Sequence, residues 1–169
     1  MTSFNCSFSS LRKKIKKVYR MNWKIIHEFD QFEAIDLYWA LKLRQDVFII
    51  EQDCIYDDID ALDPVSRHLL LYDNDSLAAY CRIVPGGKKF DAPSIGRVIV
   101  NPKYRSLGLG KKLMGKALDI LSDEKESKVV IEAQEYLENF YHSMGFHKRS
   151  EPYDVDGINH ILMDIDIEH

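Results

Sequence analysis

The stretch Val98-Ile99-Val100-Asn101-Pro102-Lys103-Tyr104-Arg105-Ser106-Leu107-Gly108-Leu109-Gly110-Lys111 decides the reading of this 169-residue chain. A β-branched run enters a turn at Asn101-Pro102, and the turn opens a helix whose first residues include two glycines. The first amides of a helix have no intrahelical partner and point outward. The helix dipole adds partial positive charge at that end. Glycines remove the side chains that would hold a phosphate off the backbone, so such a turn suits a pyrophosphate. Arg105, Lys111 and Lys112 add charge around it. Neither GxxxxGK[ST] nor GxGxxG is present, which sets aside a Walker loop and a dinucleotide fingerprint. Glycine pairs at helix starts also serve close packing, so the turn alone leaves both readings open.

Working outward, residues 23–29 read as a first strand and 31–50 as a helix with Ala34, Leu37, Tyr38, Leu41 and Phe48 on its apolar face. An acidic loop follows over 51–64. Residues 67–72 and 77–84 read as strands joined by Asp73-Asn74-Asp75-Ser76, and 94–100 as a further strand. The glycine-bearing helix covers 106–122, with Leu107, Gly110, Met114, Ala117 and Leu121 facing inward. Then come a strand at 128–133, a helix at 135–144 that Gly145 stops, and strands at 146–150 and 158–167. Tyr136, Leu137, Phe140, Tyr141 and Met144 form one stripe of that third helix. The order is that of an α/β (α+β) domain with a mixed, mainly antiparallel sheet of about six to seven strands flanked by helices.

Residues 98–110 resemble motif A of the GCN5-related N-acetyltransferase (GNAT) superfamily, a strand followed by R/Q-x-x-G-x-G/A at a helix start. Arg105, Gly108 and Gly110 fill it. About 30 residues on, Asn139-Phe140-Tyr141-His142-Ser143-Met144-Gly145-Phe146 resembles the family's second hallmark, an aromatic-Tyr-x-x-x-Gly-Phe helix end. Within the superfamily the chain looks most like the ElaA group. Leu43-Arg44-Gln45-Asp46-Val47-Phe48-Ile49-Ile50-Glu51-Gln52, Ala79-Tyr80-Cys81-Arg82-Ile83, Ile95-Gly96-Arg97-Val98, Ala133-Gln134 and Asp156-Gly157-Ile158-Asn159-His160-Ile161-Leu162-Met163 carry that likeness. It implies the GNAT fold over roughly 23–167 and acetyl-coenzyme A as cosubstrate. The cofactor-binding positions it implies are Val98, Ile99, Val100, Arg105, Ser106, Leu107, Gly108, Leu109, Gly110, Lys111 and Tyr141. The implied function is N-acetyl transfer to a primary amine, with a non-catalytic acyl-coenzyme A-binding regulator as the alternative. The intact RxxGxG argues against homoserine-lactone-synthase-like chemistry.

Acetyl transfer needs the amine held beside the thioester, deprotonated, and a proton for the leaving sulfur. Tyr141 is the candidate general acid. Many relatives carry a glutamate on the strand before the turn, and here Ser94-Ile95-Gly96-Arg97 has no acid. The base is therefore sought at Glu51, Glu132, His68 or His160, or in a shared water relay. Arg44, Arg82 and Arg97 interrupt apolar surroundings, and buried arginines require carboxylates. Either they pair with Glu51, Glu132 or the Asp cluster, or one binds an acceptor carboxylate. The Asp cluster lacks EF-hand spacing and no metal is expected. It reads as a solvated loop or, at the cleft, as a lure for a cationic acceptor.

The formal net charge of −4 conceals a split. Residues 1–22 hold six of the 23 basic residues and no acidic one, which leaves 17 basic and all 27 acidic residues in 23–169, a net −10. A basic arm thus precedes the acidic domain. The acidic body disfavours nucleic acid as the main partner. No apolar run approaches the ~20 residues that cross a membrane. Ser3, Ser7, Ser9 and Ser10 give the arm a transit-peptide composition, against the plainer readings of a solvated arm or a true start near Met21. Leu11, Ile15 and Val18 suit a short amphipathic helix over 11–19. Cys6, Cys54 and Cys81 form no CxxC pair and fit a reducing, cytoplasmic compartment. The expected partner is a small-molecule or peptide amine, with no nucleic acid and no membrane, and the chain is read as a monomer or homodimer.

Overall fold

The structure is a computed structural model and describes residues 18–167. Its strands are β1 (Met21–Ile26), β2 (Arg67–Asp73), β3 (Ser76–Val84), β4 (Ser94–Val100), β5 (Lys128–Gln134), β6 (His147–Lys148), β7 (Tyr153–Val155) and β8 (Ile158–Asp166). Three helices, α1 (Ala34–Arg44), α2 (Leu109–Asp123) and α3 (Glu138–His142), flank one eight-stranded sheet ordered β1-β2-β3-β4-β5-β8-β6, with β7 on β8. All pairs are antiparallel except β4–β5.

Strand alternation divides the core between the two faces. Leu69, Leu71, Cys81 and Ile83 pack with Leu113, Met114 and Ala117 of α2 and with Tyr141 of α3. Leu70 and Tyr80 pack on the other face against Ala40 and Leu43 of α1. β2 and β3 are covered on both sides, which explains their nearly unbroken apolar sequences. The α2 stripe Leu109, Leu113, Met114, Ala117, Ile120 and Leu121 has the three-to-four spacing of a buried face. Leu107, expected on that face, is 37% exposed because α2 begins after it.

α1 departs most from the sequence reading. Its buried positions are Asp36, Ala40, Leu43 and Arg44, continuing to Val47, whereas Tyr38 is exposed. Two of those positions are charged, so counting apolar residues selects the wrong stripe. Asp36 is satisfied by Lys24 Nζ at 2.5 Å and by the Tyr72 hydroxyl at 2.7 Å. After Arg44 the helix loosens into a π turn, Gln45–Glu51. The third helix is also broken up. Glu135–Leu137 is a 3-10 turn that leaves Tyr136 exposed, and only Glu138–His142 is α-helical. β7 was not anticipated, although Asp156-Gly157, both at positive φ, is the turn chemistry of a tight hairpin into β8.

At the N-terminus, β1 begins at Met21 and takes in Asn22, two residues earlier than expected. Tyr19 packs edge-on against Tyr104, and the Arg20 amide donates to Asp73. The amphipathic helix expected over 11–19 lies outside the described residues, except for positions 18 and 19, which carry no helix.

The acidic loop is solvated only in part: Asp53 and Asp57 are exposed, but its other three aspartates are engaged in ion pairs within the fold. Asp58, Asp60 and Asp63 turn inward onto the three arginines. Arg44 donates from Nε to Asp58 and from Nη1 to Asp63, both at 2.8 Å. Arg82 donates from Nη1 to Asp60 and Asp63 at 2.7 Å, and Nη2 also meets Asp60. Arg97 donates from Nε to Asp58 at 2.7 Å. Neither Glu51 nor Glu132 takes part. Three cations thus face three anions, and the cluster fastens the loop to α1, β3 and β4. Behind it, buried His68 bridges the Asp63 carbonyl and the Tyr80 hydroxyl, away from any cleft.

Breaking a buried pair leaves an uncompensated charge. Asp63→Ala is therefore expected to lose about 3–5 kcal/mol in urea unfolding, against less than about 0.5 kcal/mol for exposed Asp57→Ala. Burial alone would push the carboxyls of Asp60 and Asp63 up, but the arginines outweigh it and hold both down, Asp60 to about 2. The unfolded chain takes up these protons first, so their stabilisation is complete above about pH 4 and is lost as pH falls toward about 2. Acid titration of the unfolding free energy should show that slope, and Asp60→Asn should flatten it.

Candidate active site

The turn before α2 has the geometry of an anion cradle. Ser106 and Gly108 both hold left-handed φ, at 67° and 71°. That alternation curls successive amides toward one side. The first intrahelical bond, Lys112 N–H to the Gly108 carbonyl, leaves the amides of Leu109, Gly110 and Lys111 without helical partners. The two glycines serve different ends. A Cβ at Gly108 would meet open space, so this position supplies φ and room for a ligand. A Cβ at Gly110 would stand 3.1 Å from the Phe140 ring, so this one lets α2 approach α3.

β4 leads from this turn into the interior. It shares one registered pair with β5, Ser94 with Val130, while β5 stays paired with β8 along its whole length. The two strands therefore part beyond their start. β4 also carries a bulge: Tyr80 opposes Ile99 and Arg82 opposes Gly96, so Cys81 faces two residues, Arg97 and Val98. Arg97 sits there at φ 53°. The bulge inverts the strand's phase, putting Ile95 in the α2-side core and Ile99 in the α1-side core. A left-handed arginine costs about 1–2 kcal/mol, a strain typical of functional positions.

A cavity of about 150 Å³ opens where β4 and β5 part. Val98, Tyr141, Glu132 and His160 line it, so the structure brings together the expected acid and two of the expected bases. Glu51 does not line it. It is exposed and grips Arg105, the arginine of the turn, with both oxygens at 2.7 and 2.9 Å. Arg105 through Lys111 lie toward the surface end of β4. Of the other two β4 positions, Ile99 packs toward α1 and Val100 against the α2-side core.

The local electrostatics separate the roles. Tyr141 is almost wholly buried, and burial pushes its phenol up, so the hydroxyl keeps its proton. Among the described residues nothing hydrogen-bonds it. Burial would push Glu132 up as well, but Lys89 at 2.6 Å and Tyr153 at 2.7 Å engage both oxygens and hold it below the usual range. That makes Glu132 a weak base. His160 Nδ1 lies 2.8 Å from the Ile158 carbonyl, an obligate acceptor. Nδ1 therefore donates to that carbonyl, and Nε2 has no hydrogen-bond partner among the described residues.

Sequence reasoning missed Lys89 and Tyr153. Lys89 stands in the loop before β4 and Tyr153 on β7, and no spacing rule links either to Glu132. The reciprocal amide pair Gln52–Gln134, at 3.0 and 3.3 Å, ties the π turn to the end of β5 at the cavity wall. Cys54 also lines the cavity, its thiol on the Asp156 carbonyl at 3.2 Å. Among the described residues no helix is long and apolar enough to cross a membrane, and no three His, Cys, Asp or Glu side chains cluster as a metal site.

The chain is similar to known proteins in sequence and in fold. Residues 40–167 match the family model for the acetyltransferase (GNAT) domain. Protein ElaA of Escherichia coli is 40% identical over 146 residues, covering 85% of this chain and 95% of that protein. A UPF0039 protein of Schizosaccharomyces pombe is 38% identical over 142 residues, covering 82% of this chain and 93% of its own. The crystal structure of Escherichia coli ElaA superposes with a TM-score of 0.80 at 38% identity, covering 86% of this chain and 99% of that one. The crystal structure of an acyl-CoA N-acyltransferase from Pseudomonas aeruginosa does so with a TM-score of 0.81 at 33% identity, over the same shares. By the family model that spans most of its length and by its identity to ElaA over nearly all of that protein, the chain belongs to the GNAT acetyltransferase family and is ElaA-like within it.

Proposed function

We propose that the chain is an acetyl-coenzyme A-dependent N-acetyltransferase acting on a primary amine. One observation carries the reading: a buried tyrosine whose hydroxyl keeps its proton and has no hydrogen-bond partner among the described residues lines the cavity at the inner end of the strand whose outer end is the anion cradle. The chain's residues fit the cosubstrate. Gly108 leaves open space at the cradle, and β4 beyond Ser94 is free of β5.

When bound, acetyl-coenzyme A supplies an acetyl group activated as a thioester. The residues that would hold it are the amides of Leu109, Gly110 and Lys111, with Arg105 beside them. β4 around Val98 would orient the carbonyl with a backbone amide. Tyr141 holds the proton that the departing sulfur requires. His160, through Nε2, takes a proton from the acceptor's ammonium group, and Glu132 fixes Lys89 and Tyr153 around it. The acidic loop lends no support to a cationic acceptor, because its inward carboxylates are neutralised. Buried free Cys54 and Cys81 support a cytoplasmic setting.

A screen of primary amines against acetyl-coenzyme A, read by free-thiol release, tests the reading. Turnover of some amine is expected, while tight binding without any transfer would identify a regulator instead. Tyr141→Phe should lower kcat about 100-fold and change the affinity for acetyl-coenzyme A by less than about threefold. Gly108→Glu should abolish that affinity by placing a carboxylate at the cradle while cooperative unfolding persists. Near-normal binding of acetyl-coenzyme A by this variant would refute the site assignment.

A further inference from the structure

Arg97 is only partly engaged by the buried charge cluster. Its Nε and Nη2 face Asp58 and Asp60 at 2.7 to 3.3 Å. Its Nη1 has no partner among the described residues. Nor is that atom sealed away, since among the described residues the buried side-chain nitrogens and oxygens without a hydrogen bond are Arg82 Nε and Asp36 Oδ2, the latter ion-paired with Lys24. The guanidinium lies 5.4 Å from the Tyr56 ring and 5.9 Å from the Phe48 ring, within cation–π range of both. Arg97, Tyr56 and Phe48 all line the cavity. Arg44 and Arg82 differ, since every terminal nitrogen of theirs meets an aspartate.

The backbone supports a role beyond the cluster. Arg97 bears the left-handed φ of the bulge, although the neighbouring residue is Gly96, which could adopt it freely and does not. The chain therefore keeps a long cationic side chain at its most strained strand position. Across the cavity, both oxygens of Glu132 are engaged, and His160 offers a free ring nitrogen. One wall thus presents an unshared cationic donor and the other an imidazole nitrogen that no described residue engages.

We propose that the acceptor is a primary amine that also carries a carboxylate, of the amino-acid class, and that Arg97 Nη1 is the carboxylate's docking point. This rests on the transferase reading above. The carboxylate accepts from Nη1 beside the Tyr56 and Phe48 rings, and its amine then lies toward His160.

The test compares matched triplets, each an amino acid, its carboxamide and the amine lacking the carboxyl group, with acetyl-coenzyme A and the full chain. The amino acids should show kcat/KM roughly tenfold or more above their amides and amines. Arg97→Gln should erase that preference by raising KM for the acceptor, leave KM for acetyl-coenzyme A unchanged, and Arg97→Lys should restore part of it. Equal or better turnover of the amides or amines would overturn the proposal, and so would a rise confined to KM for acetyl-coenzyme A. The triplet comparison in the unaltered chain stands even if Arg97→Gln does not fold. If no triplet member is acetylated, calorimetry with the same compounds on the coenzyme A-saturated protein decides. Binding selective for the carboxylates would uphold the docking point and defeat the transferase reading, whereas binding without that preference would overturn the docking point.

Discussion

Three arginines and three aspartates packed between α1, β3, β4 and the loop over residues 53–63 constrain the rest of this molecule. A buried ion pair adds little net stability over a well-packed apolar pair, because desolvation offsets the attraction. It does, however, penalise every arrangement that leaves one charge alone. The cluster accordingly turns Arg44 and its side of α1 toward the sheet, pulls the loop in, and holds the Arg97 guanidinium at the cavity wall. The positions of the π turn, Gln52 and Tyr56 follow from it.

The second determinant is the departure of β4 from β5. A parallel pair that holds register at a single position leaves later backbone groups of β4 without a strand partner on that side. Polar backbone that is not paired in the sheet needs another partner, and an extended, amide-bearing ligand arm is such a partner. The anion cradle lies at the outer end of the same strand and the buried Tyr141 at its inner end. In the proposed reading, anion binding, alignment and proton donation meet along this one seven-residue strand, with Tyr141 supplied to it by α3.

The parts of this design that are local in sequence were legible from sequence. Gly108 and Gly145 occur where the backbone turns left-handed, and the spacing from Arg105 to Gly110 and the helix end around Tyr141 mark the two segments from which the proposed site is built. The α2 stripe could be counted because its buried residues are apolar. The stripe of α1 could not, because Asp36 and Arg44 belong to it and are buried only through partners 12 to 36 residues away. The same limit hid the role of the acidic loop: a run of aspartates looks solvated until the arginines opposite are located. Glu51 and Glu132 were equivalent as candidate bases on the page. The fold separates them, giving one to Arg105 and the other to Lys89 and Tyr153. Arg97 stood out as a cation amid apolar residues, but its unshared nitrogen depends on a bulge that no local pattern announces.

The central claim is that one continuous path, from the turn before α2 to Tyr141, holds an acyl-coenzyme A. A crystal structure of the chain with coenzyme A tests it most directly. The account predicts the diphosphate on the amides of residues 108–111, the pantetheine arm along β4 in the gap to β5, and the thiol within hydrogen-bond reach of the Tyr141 hydroxyl. Coenzyme A bound elsewhere, or with its thiol remote from Tyr141, would contradict it.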